Sequence, residues 1–454
     1  MDFSSVSIWD ETTLGECADW FSGGTPSTTE PEYWDGAIPW ITASSLHEFY
    51  LWDSERRITE LGLQNGSRLM PQNAIIFVVR GMSLKSEFRV GIAMRPMAFG
   101  QDCKSIIAKD GVDSRFLANV LRAKAPEILG LVDEASHGTG RLQTQALQQL
   151  SVPLPPLKEQ QAIACILGAL DDKIELNRRM NRTLEAMARA LFQSWFVDFD
   201  AVRAKLALNG AEGAAGLKPA IAALFPDRLV AVDGREMPEG WKLTTLGDVT
   251  AKHGGLIQTG PFGSQLHASD YVEAGIPTIM PKDISDRRVH TEKIAYIDEA
   301  DAARLGRHRV APGDIVYSRR GDVERHALIG KREQGWLCGT GCMLVRPGAR
   351  WPSPLFMSLH LDRPDIKEWI TQHAIGATMP NLNTSVLGQV PILAPSHTIL
   401  KAFEVLAGPL DEKSADNDRQ SRTLAALRDT LLPKLISGAL RVADAERIVG
   451  RCVS

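Results

Sequence analysis

The residues whose type and spacing could do chemistry are few, and none completes a catalytic set. Cys338 and Cys342 stand four apart, which is not CxxC spacing, and no second ligand pair accompanies them, so they read as core or loop thiols rather than zinc ligands. Asp171-Asp172 and Asp198-Phe199-Asp200 pair carboxylates. Among 55 acidic residues such pairs arise anywhere, and these read as solvated or capping groups. A methyltransferase needs a glycine-rich cofactor loop and an Asn-Pro-Pro-type tetrapeptide, a translocase needs GxxxxGK[ST] to cradle phosphates, and a zinc hydrolase of the commonest kind needs HExxH. None of these occurs in the chain. Neither GTGR nor GTGC follows a strand and opens a helix as a dinucleotide site requires. The sequence predicts no catalytic residue, no metal site and no cofactor held by this chain.

Composition narrows the class. The chain has 454 residues, 44% hydrophobic and 23% charged, enough for two or more cores. The opening MDFSSVSIWDETTLGEC has neither the basic nor the apolar region of a secretory signal, and runs such as AIIFVV are too short to cross a bilayer, so a cytoplasmic protein without membrane contact is expected. Six cysteines without framework spacing fit a reducing compartment. The net charge of −4 gives no global pull on nucleic acid, so DNA binding would require basic residues gathered on one face.

The element that must position any site is the stretch from Leu157 to Phe199. It follows Pro153, Pro155 and Pro156, contains no proline, and spaces Leu167, Leu170, Ile174, Asn177, Asn181, Leu184, Ala188, Leu191 and Trp195 by threes and fours. That spacing predicts one long helix with a coiled-coil seam and hence a long partner helix. The partner lies 240 positions on, where Leu410, Asp411, Lys413, Asn417, Arg419, Arg422, Thr423, Leu424, Ala426 and Leu431 repeat Leu170, Asp171, Lys173, Asn177, Arg179, Arg182, Thr183, Leu184, Ala186 and Leu191 without a gap. A period this long marks a duplicated module rather than a solenoid.

The modules align from their first residues: Trp9, Thr12, Thr13, Leu14 and Gly15 against Trp241, Thr244, Thr245, Leu246 and Gly247, and Ile38-Pro39 against Ile276-Pro277. Short β-branched runs such as AIIFVVR and DIVYSRR between Gly, Pro and Asp predict a mainly β globule at the head of each. From Leu142, Thr144 and Leu147 against Leu382, Thr384 and Leu387 the offset is constant into the long helices. The expected fold class is α+β: two mainly β globules separated by two long helices that form an antiparallel coiled coil, a pseudo-twofold tandem repeat. The expected division is a first globule over 1–152, a first helix over 153–200, a linker with one short helix over 201–238, a second globule over 239–394, a second helix over 395–440 and a tail over 441–454.

GGTPST with YWDGAIPW, LPLPPLKEQQAI, the SWFVDFDAVRAK to ALFPD linker and the tandem organisation together resemble the specificity subunit of type I restriction-modification systems, over essentially the whole chain. The resemblance implies two target-recognition domains that each read half of a bipartite, asymmetric site in double-stranded DNA. It also implies helices that dock two methyltransferase subunits, with restriction/translocase subunits joining the full complex. S-adenosylmethionine, ATP and Mg2+ would then belong to those partners. The second helix departs from the pattern: PSHTILKAFEVLAGPLDEK replaces the expected PPLxEQ opening, and Ser414, Ser421 and Arg428 replace Ile174, Asn181 and Ala188, so less regular pairing is expected there.

For such a reader, base edges are met by Arg, Lys, Asn and Gln, and phosphates by these and by Ser, Thr and backbone amides. The candidate loops in the first module carry Thr25, Ser27 and Thr28, then Trp40, Thr42, Ser44 and Ser45, then Arg80, Lys85 and Arg89. In the second they carry Gln265 and His267, Lys282 and Asp283, Arg287 and Arg288, and Arg319 and Arg320. HGTGRLQ at 137–143, with Thr139 and Arg141, and GATMPN at 376–381, with Asn381, precede the long helices and offer glycine amides to a phosphate as readily as a plain turn. Trp34, Trp40 and Trp52 are expected in the core. Asn177, Asn181 and Asn417 occupy seam positions, where buried polar residues fix register. Two rival readings remain open: the recognition part of a fused restriction-methylation enzyme, which needs catalytic motifs, and a coiled-coil scaffold without DNA readout, which leaves the polar loops unexplained.

Overall fold

The computed structural model describes residues 9–134, 139–207, 218–232, 234–376 and 380–453. The chain divides into two compact units, one of residues 1–178 with 419–454 and the other of residues 179–418.

The threonine-glycine sequence that opens each module has a local cause. Thr13 caps the helix Leu14–Cys17 in a reciprocal box with Glu16, and Thr245 accepts from the Asp248 amide to cap Leu246–His253. Gly15 and Gly247 lie where a Cβ would come within 3.2 Å of the Gln148 carbonyl and 3.1 Å of the Gly388 carbonyl. Those carbonyls belong to the equivalent short helices Thr144–Gln148 and Thr384–Gly388, so the glycine lets two helices touch backbone to backbone.

In the first unit the core sheet runs Ala18–Ser22, Cys103–Ala108, Ile75–Val78, Val90–Ala93, Tyr50–Leu51, antiparallel except for the last pair. Ile75–Val78 is buried throughout, as an apolar run without alternation requires of a central strand. A second sheet holds Arg57–Ile58, Trp34–Ile41, Met97–Phe99 and Leu69–Met70. Leu167, Leu170 and Ile174 of the first long helix and Leu424, Leu431 and Leu435 of the second close this core. Residues 441–454 are not a mere tail: Val442–Val453 forms a helix whose Ala445 and Val449 are buried in the same core.

In the second unit one sheet runs Leu256–Thr259, Cys342–Arg346, Ile315–Ser318, His326–Leu328 and the other Tyr271–Val272, Ala295–Ile297, Ile276–Ile279, Leu337–Cys338. Cys338 and Cys342 are core thiols of these sheets, and burial pushes both upward in pKa. Phe192, Trp195 and Phe196 of the first long helix join Phe356, Phe403 and Trp241 in an aromatic core. The expected single linker helix is incomplete. Two helices, Asp200–Ala207 and Pro219–Ala222, are followed by a hairpin of Leu229–Val232 with Arg235–Pro238.

The long helices span Leu157–Phe196 and His397–Ile436, forty residues each at the 240-residue offset. The first ends short of the predicted Phe199, which turns the chain at φ 56° before Asp200. Their pairing is antiparallel within each unit. In the first, Asp171 meets Arg428 and Asn177 meets Gln420 and Ser421; in the second, Asn181 meets Asp418 and Glu185 meets Ser414. The second helix runs unbroken through Ser414, Ser421 and Arg428, each of which finds a polar partner across the pair in place of an apolar contact.

Candidate nucleic-acid interface

The 240-residue offset of the long helices recurs at particular elements inside the globules. Strand Ile75–Val78 corresponds to Ile315–Ser318, and the helix caps Asp113 and Ser353 to each other, all at 240 residues. The strand ends that follow are therefore the same place in both units. In the first, Arg80–Gly81 pairs antiparallel with Gly140–Leu142, setting Arg80 directly opposite Arg141. In the second, Arg320 bridges to Asn381, and the Leu382 amide donates to the Arg319 carbonyl at 2.9 Å as the Leu142 amide does to Val79.

Arg80 and Arg141 are both exposed, and neither has an ion pair among the described residues. Like charges set directly opposite each other cost free energy, so the pair is an electrostatic fault that a phosphate or base edge would repair. Other candidates gather here. A Cβ on Gly81 would lie 3.7 Å from that of Ala43, Arg89 donates to the Ala43 carbonyl at 3.3 Å, and a Cβ on Gly140 would strike Leu84, next to exposed Lys85. Thr42, Ser44 and Ser45 bond one another's hydroxyls and amides, which shapes the loop beside the basic cluster. Half-buried Thr139 leads into the strand of Arg141. Residues 137–138 and 377–379 of the two glycine segments lie outside the described residues.

Thr25, Ser27 and Thr28 form a separate group. Their loop is pinned by Trp40 Nε1 on the Gly24 carbonyl and Trp34 Nε1 on the Ser27 carbonyl, so buried Trp40 is a support and not a contact residue. Trp34 packs edge-on against Trp40 as predicted of a core residue, whereas Trp52 is 48% exposed. Sequence reasoning missed the cations of this group: Arg56 stacks 4.1 Å from the Trp34 ring, Arg68 lies over Phe21, and Lys104 donates to Ser22. Lys104 lies on a strand, and Arg56 and Arg68 lie in the connections that lead into the strands Arg57–Ile58 and Leu69–Met70.

In the second unit Arg320 is exposed, while Arg319 donates to the Leu382 carbonyl and lies 5.8 Å from the half-exposed Phe262 ring. Asn381 Oδ1 is buried without a hydrogen-bond partner. Gln265 spends its side-chain oxygen on the Phe262 amide, exposed His267 pairs with Asp270, and exposed Lys282 donates to the Lys293 carbonyl. Three candidates are buried or largely buried. Asp283 is buried, accepts from the Met280 amide, and is raised in pKa by that burial. Arg287 and Arg288 turn inward to Asp411 on the second long helix, at 3.2 and 2.8 Å.

The paired carboxylates also differ from expectation. Asp172 and Asp198 are solvated, but Asp171 is buried and accepts from Arg122 at 3.0 Å and Arg428 at 2.7 Å. The seam asparagines are buried. Asn177 donates to Gln420 and Ser421, Asn181 to Asp418 and the Ser414 carbonyl, and Asn417 to Asn181 at 2.9 Å.

Residues 7–186 match the family model of the type I restriction modification DNA specificity domain. The chain is 28% identical over 442 residues to the type I restriction enzyme MjaIX specificity subunit of Methanocaldococcus jannaschii, covering 96% of this chain and 94% of that one. It is 29% identical over 351 residues to the HindI specificity subunit of Haemophilus influenzae, 69% and 74% of the two chains. The crystal structure of a type I restriction-modification S subunit from M. genitalium shares the fold, with a TM-score of 0.60 at 17% identity over 96% of this chain and 98% of that one. The chain is therefore similar over nearly its whole length to specificity subunits of type I restriction-modification systems. Among the described residues no helix is long and apolar enough to cross a membrane.

Proposed function

We propose that this chain is the non-catalytic DNA-recognition subunit of a type I restriction-modification complex. Residues 1–152 and 239–394 each read one half of a bipartite, asymmetric site, and the helices over 153–200 and 395–440 carry the docking surface for two methyltransferase subunits. Restriction/translocase subunits join through these in the full complex, in a bacterial or archaeal cytoplasm. S-adenosylmethionine, ATP and Mg2+ act in those partners. The observation that carries the reading is the repeated strand end, exposed Arg80 opposite Arg141 in one unit and exposed Arg320 beside Asn381 in the other. Guanidinium groups offer paired donors to guanine O6 and N7 or to a phosphate, and asparagine makes the corresponding paired contact with adenine. Arg80, Lys85, Arg89 and Arg141 with Thr42, Ser44 and Ser45 form the proposed first contact surface, the Thr25, Ser27 and Thr28 loop a flank of it. Arg319, Arg320, Asn381, Gln265, His267 and Lys282 form the second.

The test is co-expression with the neighbouring methyltransferase subunit and methylome sequencing. A single bipartite methylated motif with two unlike half-sites is the expected result, and its absence refutes the proposal.

A further inference from the structure

Asp171 and Asp411 are equivalent by the 240-residue offset, and each is a helix carboxylate gripped by arginine from the globule of its own unit. The globule partners are not equivalent. Arg122, on helix Ser114–Ala123, serves Asp171, whereas Arg287, in a turn between two short strands, and Arg288, which opens the second of them, serve Asp411. At a further pair of equivalent positions the charges are exchanged. Arg189 of the first long helix binds Asp362 of the globule at 2.6 Å, where the first unit has Asp429 on the second long helix and Arg122 in the globule. Each globule therefore meets a fixed helix acceptor with cations of its own.

These contacts are poor devices for stability alone. Arg287 is 5% exposed, yet its Nε and Nη1 lack any hydrogen-bond partner, as does Arg288 Nε. Among the described residues Asp411 is the one carboxylate hydrogen-bonded to either guanidinium. The turn that delivers them places two consecutive non-glycine residues, Asp286 at φ 50° and Arg287 at φ 59°, in the left-handed region. Such conformations persist where the surroundings over-determine them, and a buried ion pair is often no more stabilising than apolar residues of the same volume. What a directional, two-pronged charge contact adds is one defined orientation.

We propose that Asp171 and Asp411 are positioning residues that fix the setting of each globule on its stretch of the long helices, and thereby hold the number of unread base pairs between the half-sites to a single value. The proposal rests on the recognition function proposed above. A globule freed from its aspartate still presents the same loops to the same bases, but it reaches its half-site over a range of positions.

The experiment uses the full chain co-expressed with the methyltransferase subunit, reading the methylome for half-site sequence and spacer length separately. Wild type is expected to methylate one spacer; if it yields no bipartite motif, the recognition reading itself has failed and this one falls with it. D411N should leave both half-site sequences unchanged. It should raise methylation at spacers one base pair shorter or longer by about tenfold, the ratio one charge-assisted hydrogen bond can supply. D171N should do the same through the first globule. A merely structural role would lower methylation everywhere while the single spacer stays, and that result overturns the proposal. R288K keeps the charge and loses the two-pronged grip, so it gives the same readout should D411N fail to accumulate. If neither variant accumulates, the contact serves folding and the proposal is overturned.

Discussion

Arg80 and Arg141 stand directly opposite one another across an antiparallel strand pair, both exposed and neither ion-paired among the described residues. Removing either should therefore spare or slightly raise the stability of the free chain while weakening DNA binding by the assembled complex. R141A is expected to cost about 1–3 kcal/mol of binding if the arginine reads a base edge, with discrimination lost at one base pair. If it meets a phosphate, the motif should stay and the slope of log affinity against log salt should shrink by about one. Titration of the complex at several salt concentrations, with the wild-type and singly altered sites, separates the two; unchanged affinity on every site removes Arg141 from the interface. R320A is the matching variant for the second half-site.

The asparagine seam makes a second prediction. Asn417 donates to Asn181 at 2.9 Å, and Asn181 in turn donates to Asp418 and the Ser414 carbonyl, all of them within the second unit. N181L deletes the acceptor of Asn417 and the donor of two oxygens, and leaving buried polar groups unmatched costs about 1–3 kcal/mol each. Replacing Asn181 and Asn417 together removes both members of the central bond, so the double variant should lose less than the sum of the two singles. Denaturant unfolding of the four chains of that cycle measures the coupling. Additive losses would mean that the bond fixes nothing, and the register role would go with it.

The long helices are legible in the sequence because their signals are local: proline boundaries, spacing by threes and fours, and a repeat without gaps. The caps of Thr13 and Thr245 are equally short-range, each threonine bonding within its own first helical turn. The fates of Arg287 and Arg288 are not legible in this way. An arginine in a turn looks the same in sequence whether it faces water or a carboxylate, and Asp411 lies 123 positions from Arg288. Asp171 reads as a solvated acid because its partner Arg428 is 257 positions away. One signal does exist in the chain itself. Carrying the 240-residue offset back from the long helices into the end of each globule sets Arg122 and Asp429 against Asp362 and Arg189, an exchange of charge that marks a contact on sequence alone.

Acid should open the second unit before the first. His326 and His360 are buried there, and burial lowers both from 6.5 to about 4. Between those values the unfolded chain binds more protons than the folded one, so the stability these histidines contribute is complete above pH 6.5 and is lost as pH falls toward 4. Each pKa unit corresponds to about 1.4 kcal/mol. Hydrogen exchange at about pH 7 and about pH 5, on either side of the unfolded histidine value, and corrected for intrinsic rates, should show protection falling in Ile315–Ser318 and His326–Leu328 while Ile75–Val78 holds. Equal loss in both units would assign the acid sensitivity to other groups. H326N with H360N should flatten the pH dependence.

The last prediction tests whether the helix Val442–Val453 is part of the first core or an appendage to it. Val449 is 7% exposed and Ala445 fully buried, packed in a cluster that includes Leu431, Leu435 and Ile436 of the second long helix. Gly438, at φ 76°, ends that long helix and turns the chain back, and the Leu440 amide donates to the Lys434 carbonyl to hold the turn. V449D would place a carboxylate in this apolar cluster and would forfeit a buried side chain worth about 1.5–3 kcal/mol. The helix should detach rather than bury the charge, exposing the apolar face of the long helix near Leu435. Hydrogen exchange should then rise over 442–453 and over the last turns of His397–Ile436, while the aromatic cluster of Trp195, Phe196 and Phe403 in the second unit is unaffected. V449A, which leaves a small void and no charge, should lower stability by a fraction of that amount and leave the helix docked. Protection unchanged in both variants would show that the helix contributes nothing to the core it touches.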